Sequence, residues 1–202
     1  SSSENETIIH FQIPGFYKIP LDINNQINYS IKTLMGASLL IEGSPDLQKI
    51  SAAIQIPNRS KMSTEIVESH FIEYNNILIA PSKGNIKRNI NPNDIPFSWN
   101  DSYSKDQFYP GNIIDLNQPY ILRDFRGQTV NAYPFQYNPI AKKLRVYTDI
   151  IVRVYTIGNS QTNIITGPNP TSIDKNYHNI YIIYTSKALA FYCKGFCLNN
   201  YL

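Results

Sequence analysis

The 202-residue chain is long enough for one large β domain or two small ones, and needs neither metal nor disulfides to build a core. Hydrophobic residues make up 42% and charged ones only 16%, which excludes extended disorder. The 18 Lys+Arg against 15 Asp+Glu are scattered, too mild a balance for a nucleic-acid surface. No apolar run reaches the length of a membrane span. The two cysteines, Cys193 and Cys197, exclude a disulfide framework and a four-thiolate zinc site. The chain opens on Ser1 without the basic and apolar regions of a signal peptide, so a leader is expected to have been removed or the chain trimmed. Asn-x-Ser/Thr triplets at Asn5, Asn28, Asn58 and Asn100 carry no weight in so Asn-rich a chain.

Ile, Tyr, Thr, Val and Phe are abundant while Ala and Leu are few, which favours strands. Thirteen prolines and nine glycines punctuate short apolar runs, the rhythm of a sandwich or barrel. In chain order, residues 7–13, 38–43 and 50–57 read as short strands. Residues 64–74 and 76–81 read as a strand pair. Residues 128–137 form one arm of a hairpin, with Asn138-Pro139 opening its turn. Residues 142–156 are the other arm: Leu144, Val146, Ile150, Val152 and Val154 fall on one face, and Arg145, Tyr147, Asp149, Arg153 and Tyr155 on the other. The polar stretch after Thr156 reads as a linker, so the expected division is a β domain over 1–160 and a linker with a C-terminal segment over 161–202. That last segment is aromatic and open to several readings: a strand, a short helix, or a piece that packs only in a longer chain.

For chemistry, His10, His70 and His178 set against Cys193 and Cys197 offer a cysteine–histidine pair in principle, but nothing around either cysteine resembles a peptidase signature. The same residues make a poor metal site, since structural zinc takes four ligands. The acidic residues stand mostly beside Lys, Asn or Ser, the pattern of solvated surface rather than of paired glycosidase carboxylates. Neither catalytic residues nor a metal or cofactor is expected. Arg123, Asp124 and Arg126 beside Gly127 read as an ion-pair network shaping a turn, a scaffold role shared with Asn138 and Pro139. The loop APSKGNIKRNINPNDIP (80–96) holds Lys83, Gly84, Lys87, Arg88 and Asn89 between Pro81, Pro92 and Pro96. By composition alone it is a solubilising loop; presented on stiff flanks, it becomes a basic side chain offered to an acidic pocket. Trp99, Tyr103 and Tyr109 supply a rival reading, the aromatic platform of a stand-alone adhesion or carbohydrate-binding module.

HFIEYNNILIAPSKGNIKRNINPNDIPF, DQFYPGNIIDLNQPYILRDFRGQTVN and FQYNPIAKKLRVYTDIIVRV, in this order, resemble the N-terminal propeptide of the gingipains, secreted cysteine peptidases of family C25. The likeness is dense over residues 63–154 and extends thinly upstream through EGSPDLQKISAAIQIP, with its Gly-x-Pro lead-in to a strand. It implies a single jelly-roll-like β-sandwich of two antiparallel sheets with a less regular C-terminal tail. It also implies a partner: a caspase-like peptidase catalytic domain, outside the cytoplasm, which the propeptide keeps latent and helps to fold. In Arg-specific members a basic loop residue enters the S1 pocket; that position falls on Arg88, with Lys87 beside it. The resemblance, not the charge count, turns the loop from solubilising to inhibitory.

Overall fold

The computed structural model describes residues 6–123 and 125–166, and the backbone of two further strands at 180–185 and 188–193. In chain order the strands are β1 (Glu6–Gln12), β2 (Tyr17–Ile23), β3 (Gln26–Lys32), β4 (Ala37–Ser38), β5 (Gln48–Gln55) and β6 (Ser60–Tyr74). There follow β7 (Ile114–Leu116), β8 (Tyr120–Leu122), β9 (Phe125–Ala132), β10 (Phe135–Asn138), β11 (Lys143–Asn159), β12 (Ile180–Thr185) and β13 (Ala188–Cys193).

Two antiparallel sheets form the body. In the first, β11 is central: β6 lies along one side, while β1 and β10 share the other in tandem. In the second, β9 is central, between β5 (with β4 beyond it) and the tandem pair β7 and β8. The alternation of β11 decides which face goes inward. Leu144, Ile150, Val152 and Val154 are 0% exposed and meet Ile50, Val130 and Ala132 of the second sheet in one core. Each fully buried aliphatic side chain contributes about 1.5–3 kcal/mol, so a one-residue slip would forfeit far more than any turn preference restores.

Several expected pairings are corrected. The arm over 128–137 is two strands in different sheets. Pro134 has no N–H to continue a ladder, and the chain crosses there: β9 ends at Ala132, and β10 starts at Phe135 against β11. Residues 64–74 do not pair with 76–81; β6 pairs with β11 instead. Asn76 turns the chain at φ 56°, and residues 77–82 then run between β3 and residues 43–46. The run 38–43 is mostly a turn, because Leu40 (φ 56°) and Gly43 (φ 75°) are left-handed and end β4 at Ser38. The β2–β3 hairpin was not anticipated. Its two corner residues, Asn24 and Asn25, both take positive φ, the type I′ pattern that a two-residue loop demands. In the C-terminal segment β12 and β13 pair antiparallel; His178 and Cys197 lie outside the described residues.

The outer face of the first sheet is laced by charge. Arg145 lies between the rings of Phe71 (4.5 Å) and Phe108 (4.0 Å) and donates from Nε and Nη2 to Glu73 Oε1. Lys143 reaches the other oxygen of Glu73 at 3.0 Å. These two cations hold the Glu73 carboxyl below its usual range, and His10, 2.8 Å from Asp149, does the same there. A carboxylate whose folded pKa is depressed stabilises the fold above its unfolded value of about 4 and loses that stabilisation as pH falls through the folded value. The melting temperature is therefore expected to drop below about pH 4.5, and Arg145→Gln is expected to flatten the drop. Melting curves between pH 3 and 6 check both.

Candidate functional site: the basic loop

The loop is built outward from a strand-like root. Ile77, Ile79 and Ala80 are buried, and the main chain of 78–82 bonds on both sides: Tyr29 N–H to Leu78 O, Ala80 N–H to Tyr29 O, Asp46 N–H to Ala80 O and Ser82 N–H to Ser44 O. Two phenols finish the root, Tyr137 donating to Ile77 O at 3.0 Å and Tyr103 to Ile79 O at 2.8 Å. Burial pushes both hydroxyls above the usual tyrosine value, so they remain donors.

Both ends of the loop are tied to one residue. Gly43 donates its N–H to Ser82 O at 2.9 Å on the entering side, and its carbonyl accepts from Asn100 N–H at 3.0 Å on the leaving side. The Asn100 side chain adds bonds to Glu42 O and Ser44 Oγ, and its Oδ1 accepts from Ser102. Position 43 must be glycine: φ is 75°, and a Cβ there would sit 3.0 Å from the Asn100 backbone nitrogen. Within the loop, Lys83 is a strut. Its Nζ donates to Pro92 O at 2.7 Å and lies 4.2 Å over the Phe97 ring. Gly84 donates its N–H to Ser82 Oγ. Asn91 caps the 3₁₀ turn Pro92–Asp94 by accepting from Asn93 N–H.

At the tip, Ile90 N–H donates to Lys87 O at 3.0 Å, closing a β-turn with Arg88 and Asn89 as its two corners. Lys87, Arg88 and Asn89 are all exposed. Neither Lys87 nor Arg88 has an ion pair or side-chain hydrogen bond among the described residues. Of the basic residues read from the sequence, the structure thus brings Lys87 and Arg88 to one tip and spends Lys83 internally.

Arg126 is only 1% exposed and ties four main-chain carbonyls: Nε to Asn163 O, Nη1 to Pro57 O and Ser60 O, Nη2 to Thr162 O, all at 2.9–3.0 Å. The expected ion-pair network is therefore corrected for this residue. Carbonyls take its donors because β9 buries it beyond the reach of surface carboxylates. Gly127 is needed beside it, since a Cβ would come within 2.8 Å of the Tyr120 ring. Arg123 is exposed in the left-handed region at φ 53°, and Asp124 lies outside the described residues. Asn138 Oδ1 accepts from Ala141 N–H and Pro139 O from Lys142 N–H, closing the β10–β11 turn, while Asn138 Nδ2 reaches Asp106.

The aromatic platform does not assemble. Trp99 is exposed, but Tyr103 packs edge-on against Tyr137 with its hydroxyl bonded to the root, and Tyr109 pairs its main chain with Tyr137 in both directions. Among the described residues no three His, Cys, Asp or Glu side chains gather as metal ligands, and no helix is long and apolar enough to cross a membrane. Gly43, Phe97 and Asn100 are the loop-holding residues that sequence reasoning missed. The signal for Asn100 was its Asn-Asp-Ser triplet, an Asx-turn pattern that also scans as a sequon.

Such a molecule is a β-sandwich module that presents a braced cationic turn. The Propeptide_C25 family matches residues 1–181, and the chain belongs to that family. It is 46% identical over 130 residues to Gingipain R1 of Porphyromonas gingivalis, covering 64% of this chain and 13% of that protein. To Gingipain R2 of the same species it is 40% identical over 152 residues, covering 74% and 21%. The chain thus spans about a fifth or less of the curated relatives it matches. Among solved structures, the complex of Porphyromonas gingivalis RgpB pro- and mature domains superposes with a TM-score of 0.78 at 37% identity, covering 81% of this chain and 87% of the other. A structure bearing on the zymogenic latency of gingipain K shares the fold at TM-score 0.66 and 17% identity, covering 77% and 89%.

Proposed function

We propose that this domain, itself non-catalytic, holds a C25-type cysteine peptidase catalytic domain latent outside the cytoplasm and assists its folding. Arg88 enters the S1 pocket of that partner as a substrate side chain would. The observation that carries the reading is Arg88, without a partner among the described residues, at the corner of a hydrogen-bonded turn on a loop whose two ends meet at Gly43. A guanidinium matches a pocket carboxylate with two parallel hydrogen bonds, a fork that an ammonium cannot reproduce. The brace keeps the ordering cost of binding small, because the turn is set before the partner arrives. Support from kinship is specific: a relative at 37% identity is solved as a complex of pro- and mature domains.

The test is to titrate the isolated catalytic domain of an Arg-specific C25 peptidase with this domain. Tight inhibition that weakens as salt rises is the expected result. Binding without inhibition would overturn the reading.

A further inference from the structure

By composition the chain after β11 is a linker, yet its first residues are fastened to the body. Gln161, Thr162 and Asn163 are exposed and Ile164 and Ile165 half-buried, so apolar burial is not what fixes their path. Polar bonds are. Ser160 N–H donates to Arg59 O at 2.7 Å, Arg126 holds the carbonyls of Thr162 and Asn163, and the Asn163 amide donates to Pro119 O at 2.6 Å. Asn58 closes the far end with a two-way clamp. Its Nδ2 donates to Ile165 O at 3.1 Å, and its Oδ1 accepts from Ile165 N–H at 2.7 Å.

We infer that residues 160–165 are a strap latched onto the sandwich, through which the stability of the domain answers to the chain that follows. The coupling passes through one side chain. Arg126 is 1% exposed, and two of its four carbonyl partners belong to the strap, the other two to the β5–β6 turn. Lifting the strap therefore leaves a buried guanidinium with half its acceptors, a costly state for a charged donor. The strap and the turn thus stay seated or come away together with this part of the fold.

The strap lies at one pole of the sandwich and the basic loop at the other. β6 starts at Ser60, beside the strap, and ends at Tyr74, two residues before the turn at Asn76 that enters the loop root. β11 runs back antiparallel along it, from Lys143 to Asn159. The 15 residues of β6, at about 3.3 Å each, put the poles roughly 45 Å apart. At that distance the strap acts on the loop only through the stability of the sandwich that holds it. Drawing the chain beyond Thr166 away from the body lowers that stability, so the domain carries a release point remote from its point of contact. Only this last consequence rests on the inhibitory reading proposed above.

The test uses the full chain. Asn58→Ala removes both clamp bonds, and Asn163→Gly removes the bond to Pro119 while suiting the positive φ of 48°. The reporter is the Ser160 amide, whose own bond to Arg59 O both variants leave intact. Its hydrogen exchange is expected to quicken roughly five- to thirtyfold in each variant, because the strap lifts as one piece. The melting temperature is expected to fall by about 2–4 °C alongside. Unchanged exchange at Ser160 in either variant would overturn the strap, since its contacts then break one at a time. Faster exchange with an unchanged melting temperature would overturn the link through Arg126. Heated with an Arg-specific C25 catalytic domain, each variant is expected to lose inhibition at its own melting temperature. Failure of the parent to inhibit would overturn the reading beneath, while exchange and melting still judge the strap.

Discussion

Replacing Arg88 with alanine is expected to weaken inhibition of an Arg-specific C25 catalytic domain by roughly two to three orders of magnitude, the scale of truncating one partner of a desolvated charge pair. Arg88→Lys should fall between the two, since the ammonium keeps the charge but loses the two-pronged geometry. Neither change should alter stability by more than about 0.5 kcal/mol, because the side chain is exposed and has no partner among the described residues. Inhibition constants and urea midpoints measured on the same preparations check this, and separate a lost contact from a lost fold. Lys87→Ala at the neighbouring position is the internal control: exposed on the same turn, it should change inhibition far less.

The second large effect is on the fold itself. Arg126→Leu removes the donors that satisfy the carbonyls of Pro57, Ser60, Thr162 and Asn163 around a residue only 1% exposed. Loss of a buried, fully hydrogen-bonded cation leaves its partners stranded, so a destabilisation of about 3–5 kcal/mol is expected in urea unfolding. Arg126→Lys should recover little, because one ammonium cannot span carbonyls from the β5–β6 turn and from residues 162–163. Desolvation already lowers the pKa of this guanidinium, yet an arginine stays charged throughout the working range. The expected loss is therefore independent of pH between 5 and 8 and, unlike the contribution of Glu73 and Asp149, does not fade as pH falls below about 4.5.

How much of this was legible in the residues follows a physical line. The period-two run 142–156 was readable because one face of β11 is fully buried, so selection on each alternate position leaves a mark. The resemblance to C25 propeptides, carried by spaced blocks, supplied the two-sheet fold, which the structure and the family match bear out, and the partner class that the proposed function takes up. The pairings were not readable. Residues 76–81 look like a hairpin arm, but their ladder partners lie at 29 and 44–46, and nothing local encodes a contact so distant. The run 38–43 looked like a strand because Leu39, Leu40 and Ile41 are apolar, although Leu40 and Ile41 are exposed and the backbone turns there. Within the loop, composition grouped Lys83 with Lys87 and Arg88. Only the geometry separates the strut from the tip, since a lysine that crosses its own loop carries the same letter as one that faces outward.

The two phenols beneath the loop have a consequence at long range. Tyr103 and Tyr137 sit far along the chain from Ile77 and Ile79, yet each pins one carbonyl of the segment that leads to the tip. They act as stops on a sliding bolt: were residues 77–82 to shift by a single notch, the carbonyls would miss their stops and the side chains of the segment would exchange faces. The aim of the cationic finger is thus stored in aromatic rings packed against each other beneath its root. Damage to inhibition should be sought in the floor of the domain as well as at its point.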